Sequence, residues 1–340
     1  MEVARREKRT GLILSGGGAR GFAHIGVLRV LEHTKTQVDV IAGTSMGAIL
    51  GALYANGYRT EEIYKLSQAV SWRDVLDFSM QSGLIKGEKM HQLLATHLPA
   101  DFKDLQKPFA VATTDIESGE EVFITDGDLI SAIRASSCYP GMFEPLQFRG
   151  RTLADGGIVN NLPVEAVAFL DATYTIASDT TPPRRSSYVD PNTEGHWWER
   201  FMATVRFERR NPMAQMLMRS TDIMQSILTD MQYTLHPADI RIRHIMPHVR
   251  VESFWSFEEI VALGERNAIH TFQEFGFLEG SLEPVFGLPA SPLQPAPKIK
   301  TKKRLPQPKD QETNAASKLM ASFPKLLNST RTSSQNHQDK

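Results

Sequence analysis

One cysteine, Cys138, is all that the 340-residue chain contains. A single thiol excludes an intrachain disulfide and a metal site built from cysteines, and it fits a reducing compartment. Net charge is equally scarce: 38 Lys and Arg against 39 Asp and Glu leave −1, so nothing in the overall balance draws the chain to nucleic acid. No run approaches the ~18 uninterrupted apolar residues that a membrane-spanning helix needs. The charged start, residues 1–9, leads only into the short apolar stretch Gly11 to Leu14, which is too brief for the core of a secretion signal. The expectation is a cytoplasmic protein that does not cross a membrane. No internal repeat of fixed period is present.

What is there is an ordinary globular composition, 41% hydrophobic and 23% charged, with alternating strand and helix patterns in its first half. Gly11 to Leu14 reads as a strand that runs into the glycine-rich turn Gly16-Gly17-Gly18-Ala19-Arg20-Gly21. From Phe22 to His33, apolar residues recur near helical spacing. Val38 to Ala42, Gly43-Thr44-Ser45-Met46-Gly47 and Ala48 to Asn56 repeat the sequence of strand, turn and helix. Two such units imply a parallel sheet with crossover helices on its faces. Thr60 is a candidate N-cap for the next helix. Phe109 to Thr114 and Glu121 to Thr125 flank a turn and read as a hairpin, so the sheet is expected to be mixed. Helices are predicted over Asp128 to Ser137, Pro163 to Leu170, Pro212 to Thr234 and Ser256 to Phe275, and strands over Thr152 to Ala154, Thr173 to Ala177 and Ile240 to Ile245.

Gly43-Thr44-Ser45-Met46-Gly47 has the G-x-S-x-G form between a predicted strand and helix, which makes Ser45 the candidate nucleophile. Such a turn is sharp and strained, its glycines remove crowding side chains, and the following helix turns its positive end to the site. A serine hydroxyl needs a base, and ten histidines are available, but none has a convincing address. His24, on the first helix, reads as a packed or hydrogen-bonded helix residue. Asp155-Gly156-Gly157 follows a strand end, where the glycines would allow close approach of the carboxylate; a simple turn aspartate is the alternative. The Gly16-Gly17-Gly18 turn could bind phosphate, form an oxyanion hole, or serve packing alone. A dinucleotide site would want an acidic residue at the end of the second strand, whereas here that strand ends in the serine turn. The oxyanion reading is therefore favoured.

Taken in order, Gly16 to Gly21, Gly43 to Gly47 and Asp155-Gly156-Gly157 resemble the patatin-like phospholipase family, in its bacterial and neuropathy-target-esterase-like branch. The likeness runs roughly from Thr10 to Thr180 and includes the Phe22 to Leu28 helix start and the Ala135-Ser136 to Pro140 segment. It implies a three-layer α/β/α domain with a mostly parallel, mixed central sheet. It also implies a Ser45–Asp155 dyad that needs no histidine, with Gly16, Gly17 and Gly18 as the oxyanion hole and Gly17 and Gly18 its donors. Arg20, Gly43, Gly47, Gly156 and Gly157 would support these groups, and Arg20 would order the glycine turn or meet a head group. The implied activity is hydrolysis of acyl esters of phospholipids or lysophospholipids through an acyl-serine, without calcium, metal or other cofactor. Met46, Ile49, Leu50 and Leu53 are candidates for an acyl pocket, with core packing as the alternative.

The expected organisation is a charged segment at 1–9, a hydrolase domain over 10–286 with core motifs in 10–180 and a helical part in 196–286, and a disordered tail over 287–340. Residues 291–340 hold ten Lys or Arg against three Asp or Glu, so attraction to anionic lipid would concentrate there. Trp197-Trp198 beside Phe201, and Phe254-Trp255-Ser256-Phe257, are candidates for peripheral membrane contact, with core packing the competing role. Other readings are a regulatory or scaffolding protein on the same fold, a hydrolase of small soluble esters, and a nucleotide-binding protein.

Overall fold

The computed structural model describes residues 8–71, 75, 85–184 and 212–278. Its centre is a sheet whose first two strands, β1 (Thr10–Leu14) and β2 (Val40–Thr44), are buried at every position. Strands covered on both faces read as nearly continuous apolar runs, which is why these two were visible in the sequence. β3 (Phe109–Asp115) is buried throughout, and β4 (Glu121–Ile124) pairs with it antiparallel as the expected hairpin. β5 (Leu146–Phe148), β6 (Arg151–Asp155), β7 (Tyr174–Asp179) and β8 (Ile240–Arg243) complete eight strands.

The order is β5-β6-β3-β2-β1-β7-β8, with β4 on β3. β1 pairs parallel with both β2 and β7, β2 with β3, and β7 with β8, whereas β6 runs antiparallel to β3 and β5. The sheet is thus mixed and mostly parallel. The chain leaves β1 toward β2 on one side and returns to β7 on the other, so the strand order reverses at β1. In open sheets of this kind, ligands bind outside the carboxyl ends of the strands at that reversal.

Helices α1 (Ala23–His33), α2 (Met46–Ala55), α3 (Thr60–Ala69), α4 (Glu88–Ala95) and α5 (Leu129–Ser136) share one apolar cluster with Leu12, Leu14, Ile41 and Val111. α8 (Phe257–Glu274) joins the same layer through Ile260, Val261 and Phe272. On the other face, α6 (Val164–Ala168) sets Val164, Ala166 and Val167 against Ile13, Val40 and Ala42. Tyr233 of α7 (Pro212–Leu235) packs against that second cluster. Helices on both faces give the three layers.

Most element positions agree with the expectation to within two or three residues, and β5 was not foreseen. The cap of α3 is a correction: Arg59 occupies the cap position, its N–H taken by the Glu62 carboxylate at 2.8 Å, and the Thr60 N–H donates to Glu32. Thr60 therefore starts the helix rather than capping it. Phe254 and Phe257 pack edge-on against Phe22, while Trp255 is left 42% exposed. Residues 1–7, the Trp197-Trp198 cluster and the 287–340 tail lie outside the described residues. No helix among the described residues is long and apolar enough to cross a membrane.

Candidate active site

Ser45 stands at the junction of β2 and α2 with φ 53° and ψ −122°, a conformation rare for a residue with a side chain. The turn closes only because glycines flank it: a Cβ on Gly43 would stand 2.5 Å from the Gly47 carbonyl oxygen, and one on Gly47 would stand 2.1 Å from that of Leu14. The Ser45 N–H donates to the Ser136 hydroxyl at 2.8 Å, and that hydroxyl donates to the Ala112 carbonyl at 2.7 Å. Ser136, on α5, thus ties the strained turn to β3.

Asp155 ends β6, hydrogen-bonded to β3 through the register Thr113↔Asp155. Asp155 is 2% exposed, accepts the Gly157 N–H at 2.8 Å, and lines the same pocket as Ser45. Burial raises its pKa to about 6, against the opposing pull of the Gly157 N–H and the nearby Ser45 hydroxyl. A carboxylate of that pKa is a stronger proton acceptor than an exposed aspartate, yet is still ionised at neutral pH. Gly156 and Gly157 form the 3-10 turn that follows, with the Gly156 α-carbon packed against the Ala112 carbonyl of β3.

The glycine turn after β1 faces the same space. The Gly16 N–H donates to the Asn161 carbonyl at 3.2 Å, so it is engaged within the fold. Among the described residues, the N–H groups of Gly17 and Gly18 donate to no protein acceptor. Gly18 has φ +55°, and a Cβ there would stand 2.4 Å from both Val251 Cγ2 and the Val251 carbonyl oxygen, so no other residue fits. The turn is braced by Asn161, which donates to the Gly16 carbonyl at 3.1 Å and to Thr181 at 3.0 Å. Thr180 donates to the same Gly16 carbonyl at 2.9 Å.

Arg20 is 4% exposed. It donates to the Val249 carbonyl at 3.0 Å and pairs with Asp222 of α7 at 3.7 Å. Its role is to hold the glycine turn against two distant segments, and its side chain also reaches the pocket wall. Gln225, one turn further along α7, donates to the Gly157 carbonyl at 3.0 Å and to Asn161 Oδ1 at 3.3 Å. One helix therefore contacts both the glycine turn and the Asp155 turn.

His24 does not serve as the base. It is fully buried, with Nε2 2.8 Å from the Ser15 carbonyl and Nδ1 2.7 Å from the Ser178 hydroxyl. A carbonyl only accepts, so Nε2 carries the proton, and Nδ1 accepts from Ser178. That hydroxyl then accepts from His244 Nε2 at 3.1 Å, and His244 Nδ1 accepts from Asn267 at 3.2 Å. Burial lowers the pKa of His24 to about 4 and that of His244 to about 3, so both are neutral links in a one-way chain. The chain ends on Ser15, next to the glycine turn.

Ser45, Asp155, Gly17, Gly18, Asn161 and Gln225 line one pocket, and its apolar wall includes Met46, Ile49, Met90, Met142, Phe143 and Phe254. Leu50 and Leu53, the other two acyl-pocket candidates, are core residues at 1% and 4% exposure and are not among the lining residues. Sequence reading missed Ser136 as a backbone acceptor, and Asn161, Gln225 and Asp222 altogether. Gln225 and Asp222 lie far along the chain from the groups they touch, and nothing local marks them. No group of three or more His, Cys, Asp or Glu that could hold a metal occurs among the described residues.

Residues 12–168 match the profile of the patatin-like phospholipase family. An uncharacterised NTE family protein of Mycobacterium tuberculosis is 35% identical over 207 residues, which cover 58% of this chain and 56% of that protein. Lysophospholipase NTE1 of Pyricularia oryzae is 35% identical over 187 residues, 52% of this chain and 12% of that much longer protein. The chain thus spans about half the length of its mycobacterial relatives. Among solved structures, VipD from Legionella pneumophila aligns with a TM-score of 0.50 at 14% identity, covering 78% of this chain and 67% of VipD, a likeness of fold.

Proposed function

We propose that the chain is a lipid acyl hydrolase of the patatin-like phospholipase type, whose profile its residues 12–168 match, and that it cleaves acyl esters of phospholipid or lysophospholipid through a Ser45–Asp155 dyad. The observation that carries this reading is the meeting of three parts at one pocket: a strained serine, a buried carboxyl, and two N–H groups with no protein acceptor among the described residues.

Ser45 attacks the acyl carbonyl while Asp155 takes its proton. The oxygen that becomes negative is held by the N–H groups of Gly17 and Gly18, with the N-terminus of α2 adding its positive end. Asp155 then returns the proton to the departing alkoxide, leaving an acyl-serine. Water, activated by the same carboxylate, attacks that ester and frees the fatty acid. Gly157 holds the carboxyl in place through its 2.8 Å hydrogen bond, the orienting task that a third residue performs in a histidine triad.

The pocket's open volume of about 70 Å³ is room for a few waters. An acyl chain enters only as the wall gives way, and the unbranched side chains of Met46, Met90 and Met142 are suited to that.

The test is release of fatty acid from phospholipids, lysophospholipids and a soluble p-nitrophenyl ester by wild type, Ser45→Ala and Asp155→Asn. The expected outcome is activity in the wild type that falls by on the order of 10⁴-fold or more in each variant. Undiminished activity in Ser45→Ala would refute the dyad. A wild type silent on every substrate would move the protein to the scaffolding reading.

A further inference from the structure

The helix α7 is turned inside out. Its buried face is polar: Gln225, Ser226 and Thr229 are 7%, 0% and 1% exposed. Asp222 and Asp230 on neighbouring positions pair with Arg20 at 3.7 Å and Arg241 at 3.2 Å. Its outer face is apolar, with Leu217, Met224, Ile227, Leu228, Met231 and Leu235 between 36% and 70% exposed. A surface helix of a monomer shows the opposite arrangement.

Two features of that face say what covers it. Leu217, Met224 and Met231 recur every seven residues, with Ile227, Leu228 and Leu235 filling the adjacent rows. A seven-residue apolar repeat is the seam that another helix fits, and methionine adapts to an imperfect partner surface. Charge is the second: the exposed residues of α7 that are described are all uncharged, and Arg219 beside them pairs with Asp222 at 3.9 Å. Helices that lie on anionic membranes carry Lys and Arg on a polar face turned to the head groups, but here the polar face is spent on the protein interior. An uncharged seam meets its own copy without like-charge repulsion. The six side chains expose roughly 600 Å², at the top of the range for a monomer's largest apolar patch and most of the ~800 Å² per partner of a standard interface.

We propose that this outer face of α7 is a homodimer interface, in which two copies of the chain pair their α7 helices about a twofold axis. The inference concerns assembly and stands apart from the catalytic reading. It gives the dimer a route to the site, because the inner face of the same helix holds Arg20 and the Gly157 carbonyl.

The experiment is light scattering behind size exclusion, with sedimentation velocity, on the full chain at micromolar concentration, comparing wild type with Met224→Glu/Ile227→Glu. Both side chains are exposed, so the double variant is expected to keep the wild-type circular dichroism spectrum; Met231→Lys provides a milder second variant. A wild-type dimer whose dissociation constant rises at least tenfold in these variants supports the proposal. A monomeric wild type overturns it, and flotation of that monomer with neutral phosphatidylcholine vesicles would assign the face to lipid instead. A dimer that persists unchanged in both variants also overturns it, placing the interface elsewhere.

Discussion

Ser45 is held at φ 53°, a conformation whose cost of ~1–3 kcal/mol is borne by the packed turn around it. Asp155 carries a second cost, since burial raises its pKa from 3.8 to about 6. The functional consequence follows from which form reacts. Only the carboxylate accepts the serine proton, so kcat/KM is expected to rise with pH through about 6 and level off above it, and a pH–rate profile on a soluble ester checks this. The stability consequence has the opposite sense. A group whose folded pKa is raised favours the folded state below its unfolded pKa, and that contribution is lost as pH climbs through the folded value. Asp155→Asn, which never ionises, is therefore expected to be more stable than wild type at pH 8, by up to ~3 kcal/mol, with the difference vanishing below pH 4. Denaturant melts at the two pH values measure it. Glu121, raised to about 8 by burial and the neighbouring Glu165, acts in the same direction in both proteins and cancels from the comparison.

Among the elements, α1 and α8 meet backbone against backbone. A Cβ on Gly26 would stand 2.2 Å from the Glu265 nitrogen, and one on Gly264 would stand 2.1 Å from the Ala23 carbonyl oxygen. No flexible side chain is available to move aside at either point. Gly264→Ala is expected to separate the helices at a cost of about 1–3 kcal/mol, or more if the backbone cannot shift. Thermal melting reads this as a fall in Tm of ~2–4 °C for each kcal/mol. Because α1 begins just after the glycine turn, the same variant is expected to lose activity along with stability. Helical periodicity identified both elements in the sequence. The need for glycine in each was invisible there, because it arises only where the two backbones meet.

For the molecule as a whole, the parallel strands β1 and β2 and the antiparallel strand β6 end at one place. The proposed chemistry uses a serine, a carboxylate and backbone N–H groups, none of which needs a metal. Hydrolysis is accordingly expected to proceed at an unchanged rate after dialysis against EDTA or EGTA, with or without added calcium. A rate restored only by calcium would place an ion in the reaction.

The alternation of strands and helices, the mixed character of the sheet, and the three glycine-bearing turns on which the chemistry is proposed are all legible in the order of residues alone. These are local properties. A buried parallel strand reads as an apolar run, and a turn that must approach another backbone closely reads as glycine. The remaining features depend on groups that folding brings together from far apart along the chain. Ser136 accepts the Ser45 N–H across 91 residues. Asn161 braces Gly16 across 145 residues, and Arg20 meets Asp222 although some two hundred residues separate them. His24 looked like any helix residue until the Ser15 carbonyl and Ser178 fixed its protons. The polarity of α7 was decided in the same way: its periodicity made it a helix, but which face turns inward depended on Arg20, Arg241 and Gly157. Buried donors and acceptors must be paired, and the partners that pair them are set by the fold rather than by neighbours in the chain.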